Sequence, residues 1–125
     1  MGLKYLLDTN SILKILVNNN LPIQKKISKG AQIYISIITV IEFHSNPDLS
    51  PQNKELFELL VERSIILDIK YENVLLVNKV INVRKKYRSK TPDAIIAAQA
   101  IINNLILITN DEGFTKIFGL QVEQL

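Results

Sequence analysis

The chain contains no cysteine, no tryptophan, a single histidine and only four glycines in 125 residues. Without cysteine it has no disulfide framework, no thiolate metal site and no cysteine nucleophile, a usage that suits a reducing cytosol. His44 is the only imidazole. No serine or threonine sits in a nucleophile-elbow context with a histidine partner, so hydrolase triads find no support. No glycine stands in a strand-to-helix turn of the phosphate-loop pattern. Long apolar runs are missing as well. Lys4, Asp8, Asn10 and Lys14 interrupt the stretch from Met1 to Val17, and nothing approaches the roughly 18 residues of a spanning helix or the pattern of a signal peptide. Leu6 occupies the position where a myristoylated start needs serine or threonine. The expectation is a soluble cytoplasmic protein with no membrane partner.

What is present is an ordinary globular composition: 47% apolar, 22% charged, and 15 Lys and Arg against 12 Asp and Glu. The length implies one domain, residues 1–125, able to bury roughly two thirds of the surface its unfolded chain exposes. The net charge of +3 permits an anionic partner without requiring one.

Short apolar runs, most of them rich in β-branched residues, recur at Tyr5 to Leu7, Ile33 to Ile35, Ile65 to Ile69 and Leu105 to Ile108, and they read as buried strands. Between them lie helical patterns: Leu56, Leu59 and Leu60 after Pro51, and Val74, Val77 and Ile81 continuing to Arg84 and Arg88. Thr91-Pro92-Asp93 supplies an N-cap oxygen, a proline at the first helical position and an acid in the first turn, ahead of Ala94, Ala97, Ala98 and Ile101. Asn103 and Asn104 close that helix. Strands alternating with helices imply an α/β fold with a parallel sheet covered on both faces.

Four acids fall at telling places on this skeleton. Asp8 ends the first strand and Asp111 ends the last, so both lie at the carboxyl edge of a parallel sheet, where such sheets bind ligands. A crossover helix starts at that same edge. Asp93 occupies one such start, and a helix beginning near Thr39 puts Glu42 in the first turn of another. Each acid also has a structural reading: Asp8 and Asp93 as helix-start residues, Asp111 as a turn residue in Asn110-Asp111-Glu112-Gly113. Glu42, between Ile41 and Phe43, is expected in apolar surroundings where an unpaired charge is expensive. Four gathered carboxylates cannot all stay ionised unless a cation compensates them. An all-oxygen set favours Mg²⁺ or Mn²⁺ over zinc or copper, and such ions act on phosphate esters by activating water and neutralising the leaving oxygen.

Leu6-Leu7-Asp8-Thr9-Asn10, Ile41-Glu42, Thr91-Pro92-Asp93-Ala94-Ile95 and Ile108-Thr109-Asn110-Asp111 resemble, in order and spacing, the four acidic motifs of PIN-domain nucleases. The resemblance covers nearly the whole chain. It implies an α/β/α sandwich with a central, mostly parallel sheet, Mg²⁺ or Mn²⁺ at the acidic cluster, and cleavage of RNA. Asp8, Glu42, Asp93 and Asp111 match the acidic quartet, as catalytic residues and metal ligands. Thr9, Asn10 and Thr109 match the polar residues that brace them. Many single-domain members resemble VapC toxins, which form homodimers and are held inactive by an antitoxin. Where the family often has a basic residue and a glycine after the glutamate, this chain has His44 and Asn46.

Arg84, Lys85, Lys86, Arg88 and Lys90 put five cations in seven residues just ahead of Asp93. They read either as a solvated helix end or as a rim that binds RNA phosphates beside the acids. Tyr87 within this segment reads as packing on the helix or as stacking on a base. Lys25, Lys26 and Lys29 form a second, weaker patch. His44, about 200° around a helix from Glu42, is not expected to act with it. The leading expectation is a metal-dependent endoribonuclease of toxin type. The alternatives are a catalytically idle PIN-fold module that holds RNA or protein, and an aspartyl-phosphate phosphatase with Asp8 as nucleophile. The phosphatase wants a second acid where Asn10 stands.

Overall fold

In a computed structural model the described residues are 2–17, 25 and 30–124; Lys26 and Lys29 of the weaker basic patch lie outside them. The elements in chain order are β1 (Lys4–Leu7), α1 (Thr9–Leu16), β2 (Gln32–Ser36), α2 (Ile37–His44), α3 (Pro51–Glu62), β3 (Ile65–Leu67), α4 (Val74–Tyr87), α5 (Thr91–Ile102), β4 (Ile106–Ile108), a 3₁₀ turn (Glu112–Phe114) and β5 (Gln121–Glu123). Among the described residues the strands form one five-stranded sheet in the order β3-β2-β1-β4-β5. Every neighbouring pair is parallel, with Leu7 opposite both Ile35 and Ile108.

Alternation along the strands divides the core into two layers. Leu6 and Leu107 pack with Leu76, Val80 and Val83 of α4 and the alanine-rich α5 on one face. Tyr5, Leu7, Ile33, Ile35 and Ile108 pack with Ile12, Ile15, Phe43 and Phe57 on the other. Both faces are covered, as a parallel sheet requires, and the architecture is an α/β/α sandwich. No helix among the described residues is long and apolar enough to cross a membrane.

Several local expectations are corrected. The third strand stops at Leu67 rather than Ile69. The strand Gln121–Glu123 escapes the sequence reading because one apolar residue in three at a sheet edge leaves no run and no alternation. On α3 the buried ring is Phe57, while Leu56 and Leu59 are 44% and 54% exposed. On α4 the buried stripe is Leu76, Val80 and Val83, while Val74 and Ile81 face outward. Both helices carry apolar side chains on more than one face, so spacing alone selects the wrong stripe. Helix α5 starts at Thr91, its N-cap position is Lys90, and no side chain caps it, so Thr91 is not the N-cap. Ser36 accepts a hydrogen bond from the Ile38 amide and opens α2 directly off β2. Glu42 therefore stands in the second turn of α2 and is exposed, with neither the first-turn position nor the apolar surroundings expected of it.

Phe57 is fully buried and stacks on Phe43 with ring centroids 4.0 Å apart. Phe57→Ala should lower the unfolding free energy by about 3–5 kcal/mol, the usual cost of emptying an aromatic site. Leu75→Ala, at a position 73% exposed, should stay within about 0.5 kcal/mol of the parent. Urea denaturation of the two variants checks the difference.

Candidate active site

The strand order makes β1 the point where the chain's connections diverge, to β2 and β3 on one side and to β4 and β5 on the other. Ligands in such sheets bind beyond the carboxyl ends of the strands at this switch point. Asp8 follows β1 directly and Asp111 lies three residues beyond β4. Ser11 ties the two strand ends together, its hydroxyl donating to the Ile108 carbonyl oxygen at 2.7 Å.

All four expected acids line one cavity of about 200 Å³, with Thr9, Asn10, Ile96 and Phe114. Asp8 is 7% exposed and its Oδ1 accepts from the Ser11 amide at 2.8 Å, so it caps α1 and faces the cavity at once. Thr9 Oγ1 donates to Glu42 Oε1 at 3.1 Å, which is how an exposed glutamate in the second turn of α2 is turned toward the site. Asp111 Oδ1 accepts from the Gly113 amide at 2.9 Å, and the Asp111 amide donates to Thr109 Oγ1 at 3.0 Å. A Cβ on residue 113 would stand 3.1 Å from that Oδ1, so glycine there leaves the carboxylate its room. The structural and functional readings of Asp8 and Asp111 thus coexist: each forms a cap through one oxygen while lining the cavity.

Asp93 enters from the first turn of α5. Burial raises its pKa above the usual carboxylate value, and the charges of Asp111, Glu42 and Asp8 raise it further, against an opposing contribution from Lys90. Asp93 therefore stands within electrostatic reach of the other three acids. Their donor chemistry, carboxylate oxygen throughout, suits a hard divalent ion. They line the cavity without closing on one another: among the described residues no three His, Cys, Asp or Glu side chains form a ready ligand set. His44 pairs instead with Glu58 and packs edge-on against Phe57.

The structure divides the basic segment. Arg88 and Lys90 line a second cavity of about 310 Å³ that shares Asp93, Asp111 and Phe114 with the acidic one. Arg84 and Lys85 lie farther along, in a depression that meets the second cavity at Arg88 and Ser89. Lys86 points to the ring of Tyr87, its Nζ 5.4 Å from the centroid. Two cations beside the acids were not anticipated. Lys116 joins Arg88 and Lys90, and Lys14 lines a depression on the opposite flank with Asn10 and Asp111. Lys116 sits in an irregular stretch without periodicity, and in the sequence Lys14 stands out only as an interruption of an apolar run.

The raised pKa of Asp93 carries a sign for stability. The folded chain holds this proton more tightly than the unfolded chain, so ionisation opposes folding above the folded pKa, and the opposition fades as pH falls toward the unfolded value. In the presence of a chelator, Asp93→Asn should melt at a higher temperature than the parent at pH 7, with the gap closing in acid. The group is partly exposed, so the effect is small. A lower melting temperature at pH 7 would contradict the electrostatic account.

The sequence model of the PIN domain family matches residues 5–119. No curated protein matches the chain. Among solved structures, VapBC2 from Rickettsia felis bound to a promoter DNA fragment is similar with a TM-score of 0.83 at 22% identity, covering 98% of this chain and 99% of that one. VapBC-1 from nontypeable Haemophilus influenzae is similar with a TM-score of 0.75 at 29% identity, covering 98% of each. A toxin-antitoxin complex from Klebsiella pneumoniae is similar with a TM-score of 0.69 at 28% identity, covering 93% of this chain and 94% of that one. With the family model spanning nearly all of its length and its sheet presenting the four acids at the switch point, the chain belongs to the PIN domain family.

Proposed function

We propose that the chain is an endoribonuclease that hydrolyses RNA phosphodiester bonds with Mg²⁺ or Mn²⁺ held at the acidic cavity, and that it is the toxin of a toxin-antitoxin pair. The observation that carries this reading is the gathering of Asp8, Glu42, Asp93 and Asp111 around one cavity, because clustered carboxylates are unfavourable unless a cation compensates them. Asp8, Asp93 and Asp111 would hold the ion or ions, and Glu42 would complete the set or orient the attacking water. Bound there, the ion supplies a nucleophile from water at neutral pH and neutralises charge on the leaving oxygen. The chain's own groups do the rest. Thr9 aims Glu42, the Ser11 amide holds Asp8, and Thr109 with the Gly113 amide holds Asp111. Arg88, Lys90 and Lys116 on one flank and Lys14 on the other draw the phosphates on either side of the scissile bond.

Arg88 argues for a role beyond folding. It ends α4 in the left-handed region, with φ of 54°, a place where glycine is the usual residue and a side chain costs about 1 kcal/mol. The toxin reading draws on the similarity to the Klebsiella pneumoniae toxin-antitoxin complex and to the VapBC structures; the partners would be an antitoxin protein and a second copy of the chain.

The test uses a short single-stranded RNA. The parent should cut it with Mg²⁺ or Mn²⁺ and not with a chelator. Asp93→Asn should lose cleavage yet bind the RNA as well or better, because it removes negative charge from the phosphate site. Parental cleavage by Asp93→Asn at limiting metal would sink the nuclease reading. The pair Arg88→Gly and Lys90→Ala should bind more weakly and flatten the salt dependence of log affinity by roughly 0.7 per lost phosphate contact, while Arg88→Gly alone should be at least as stable as the parent. An unchanged slope would reduce the segment to a solvated helix end.

A further inference from the structure

Phe118 is 85% exposed, whereas Phe43, Phe57 and Phe114 are buried. Its backbone amide donates to the Tyr87 hydroxyl at 2.9 Å, so the turn that carries it is pinned to the end of α4. The Lys86 Nζ stands 5.4 Å from the centroid of the Tyr87 ring and 6.0 Å from that of Phe118, so one cation faces both rings. Tyr87 and Ile117, the neighbour of Phe118, line the cavity that also holds Arg88, Lys90 and Lys116 and opens onto Asp93 and Asp111. Tyr87 is half-buried, so Phe118, next in the chain to the cavity-lining Ile117, is the exposed ring of the pair.

We infer that Phe118, with Tyr87 and Lys86, forms a stacking platform for an unpaired nucleobase of the RNA at the far end of the cationic cleft; this rests on the ribonuclease reading above. Every base has a π-face, so a ring presented beside a phosphate-binding row captures a strand without reading its sequence. Cation–π attraction holds Lys86 against the two rings, which leaves the opposite face of the exposed Phe118 ring for a base. Lys86 at the Phe118 ring, and Arg88, Lys90 and Lys116 in the cavity lined by the neighbouring Ile117, favour a polyanion over an apolar protein surface as the occupant. The platform needs a base free of its own helix, so the site takes single-stranded or looped RNA and rejects a duplex.

The absence of tryptophan from the chain provides a direct probe. In Phe118→Trp the only indole emission comes from the platform. With a chelator present to keep the RNA intact, a single-stranded oligoribonucleotide should quench that emission, whereas a duplex of the same sequence and an abasic ribose-phosphate oligomer should not. Phe118→Ala should bind the single strand about tenfold more weakly or worse, with an unchanged melting temperature because the ring is exposed, and Phe118→Trp should bind like the parent. If the parent binds RNA with the expected salt dependence but Phe118→Ala loses no affinity and Phe118→Trp is not quenched, the platform is overturned, the ribonuclease reading stands, and Phe118 is left for a protein partner. If the parent binds no RNA, both fall together.

Discussion

Like-charge repulsion at the carboxyl edge of the sheet is the constraint around which this molecule is arranged. Asp8, Glu42, Asp93 and Asp111 come from four separate stretches of chain and line one cavity, and Asp93 registers the other three as a raised pKa. Hydrophobic burial drives both core layers and has no reason to bring these groups together. The sheet does it by topology: with β1 in the centre and β2 and β4 on either side, the chain must leave the switch point in opposite directions, and the acids sit where it leaves.

The repulsion is met locally. Asp8 and Asp111 each commit an oxygen to a backbone amide, and Glu42 accepts from Thr9. Those three carboxylates each have a donor close at hand. Asp93, at the uncapped start of α5, is left with the dipole of its helix and with Lys90. Around this negative centre the surface turns positive: Arg88, Lys90 and Lys116 adjoin the acids on one side and Lys14 on the other. A phosphate backbone crossing the site would meet cations before and after the carboxylates, which is the arrangement a phosphodiester-cleaving centre needs.

The amino-acid sequence discloses the parts of this design that repeat. Four strands are legible as short apolar runs, and Asp8, Asp93 and Asp111 stand out because they follow strands or start a helix. Faces of helices are less legible. Leu56 and Leu59 of α3 and Val74 and Ile81 of α4 have the spacing of core residues yet lie outside, because only packing decides between two apolar stripes on one helix. Glu42 reaches the site from an unexpected turn because Ser36 starts α2 earlier than Thr39. Lys116 and Phe118 belong to an irregular stretch whose position depends on the 3₁₀ turn and on the hydrogen bond from the Phe118 amide to Tyr87, long-range features that no local pattern encodes. The basic segment was legible as a charge run but not as a divided one.

The central claim is that the four carboxylates act as one cation-binding unit, and calorimetric titration of Mn²⁺ tests it most directly when run as a double-mutant cycle on Asp8 and Asp111. These residues approach the cavity from different strands and share no hydrogen bond. If they hold the same ion, Asp8→Asn and Asp111→Asn should each lose most of the Mn²⁺ affinity, and the double variant should lose little more than either, a strongly non-additive result. Independent, additive losses, or single variants that bind Mn²⁺ as tightly as the parent, would contradict the account.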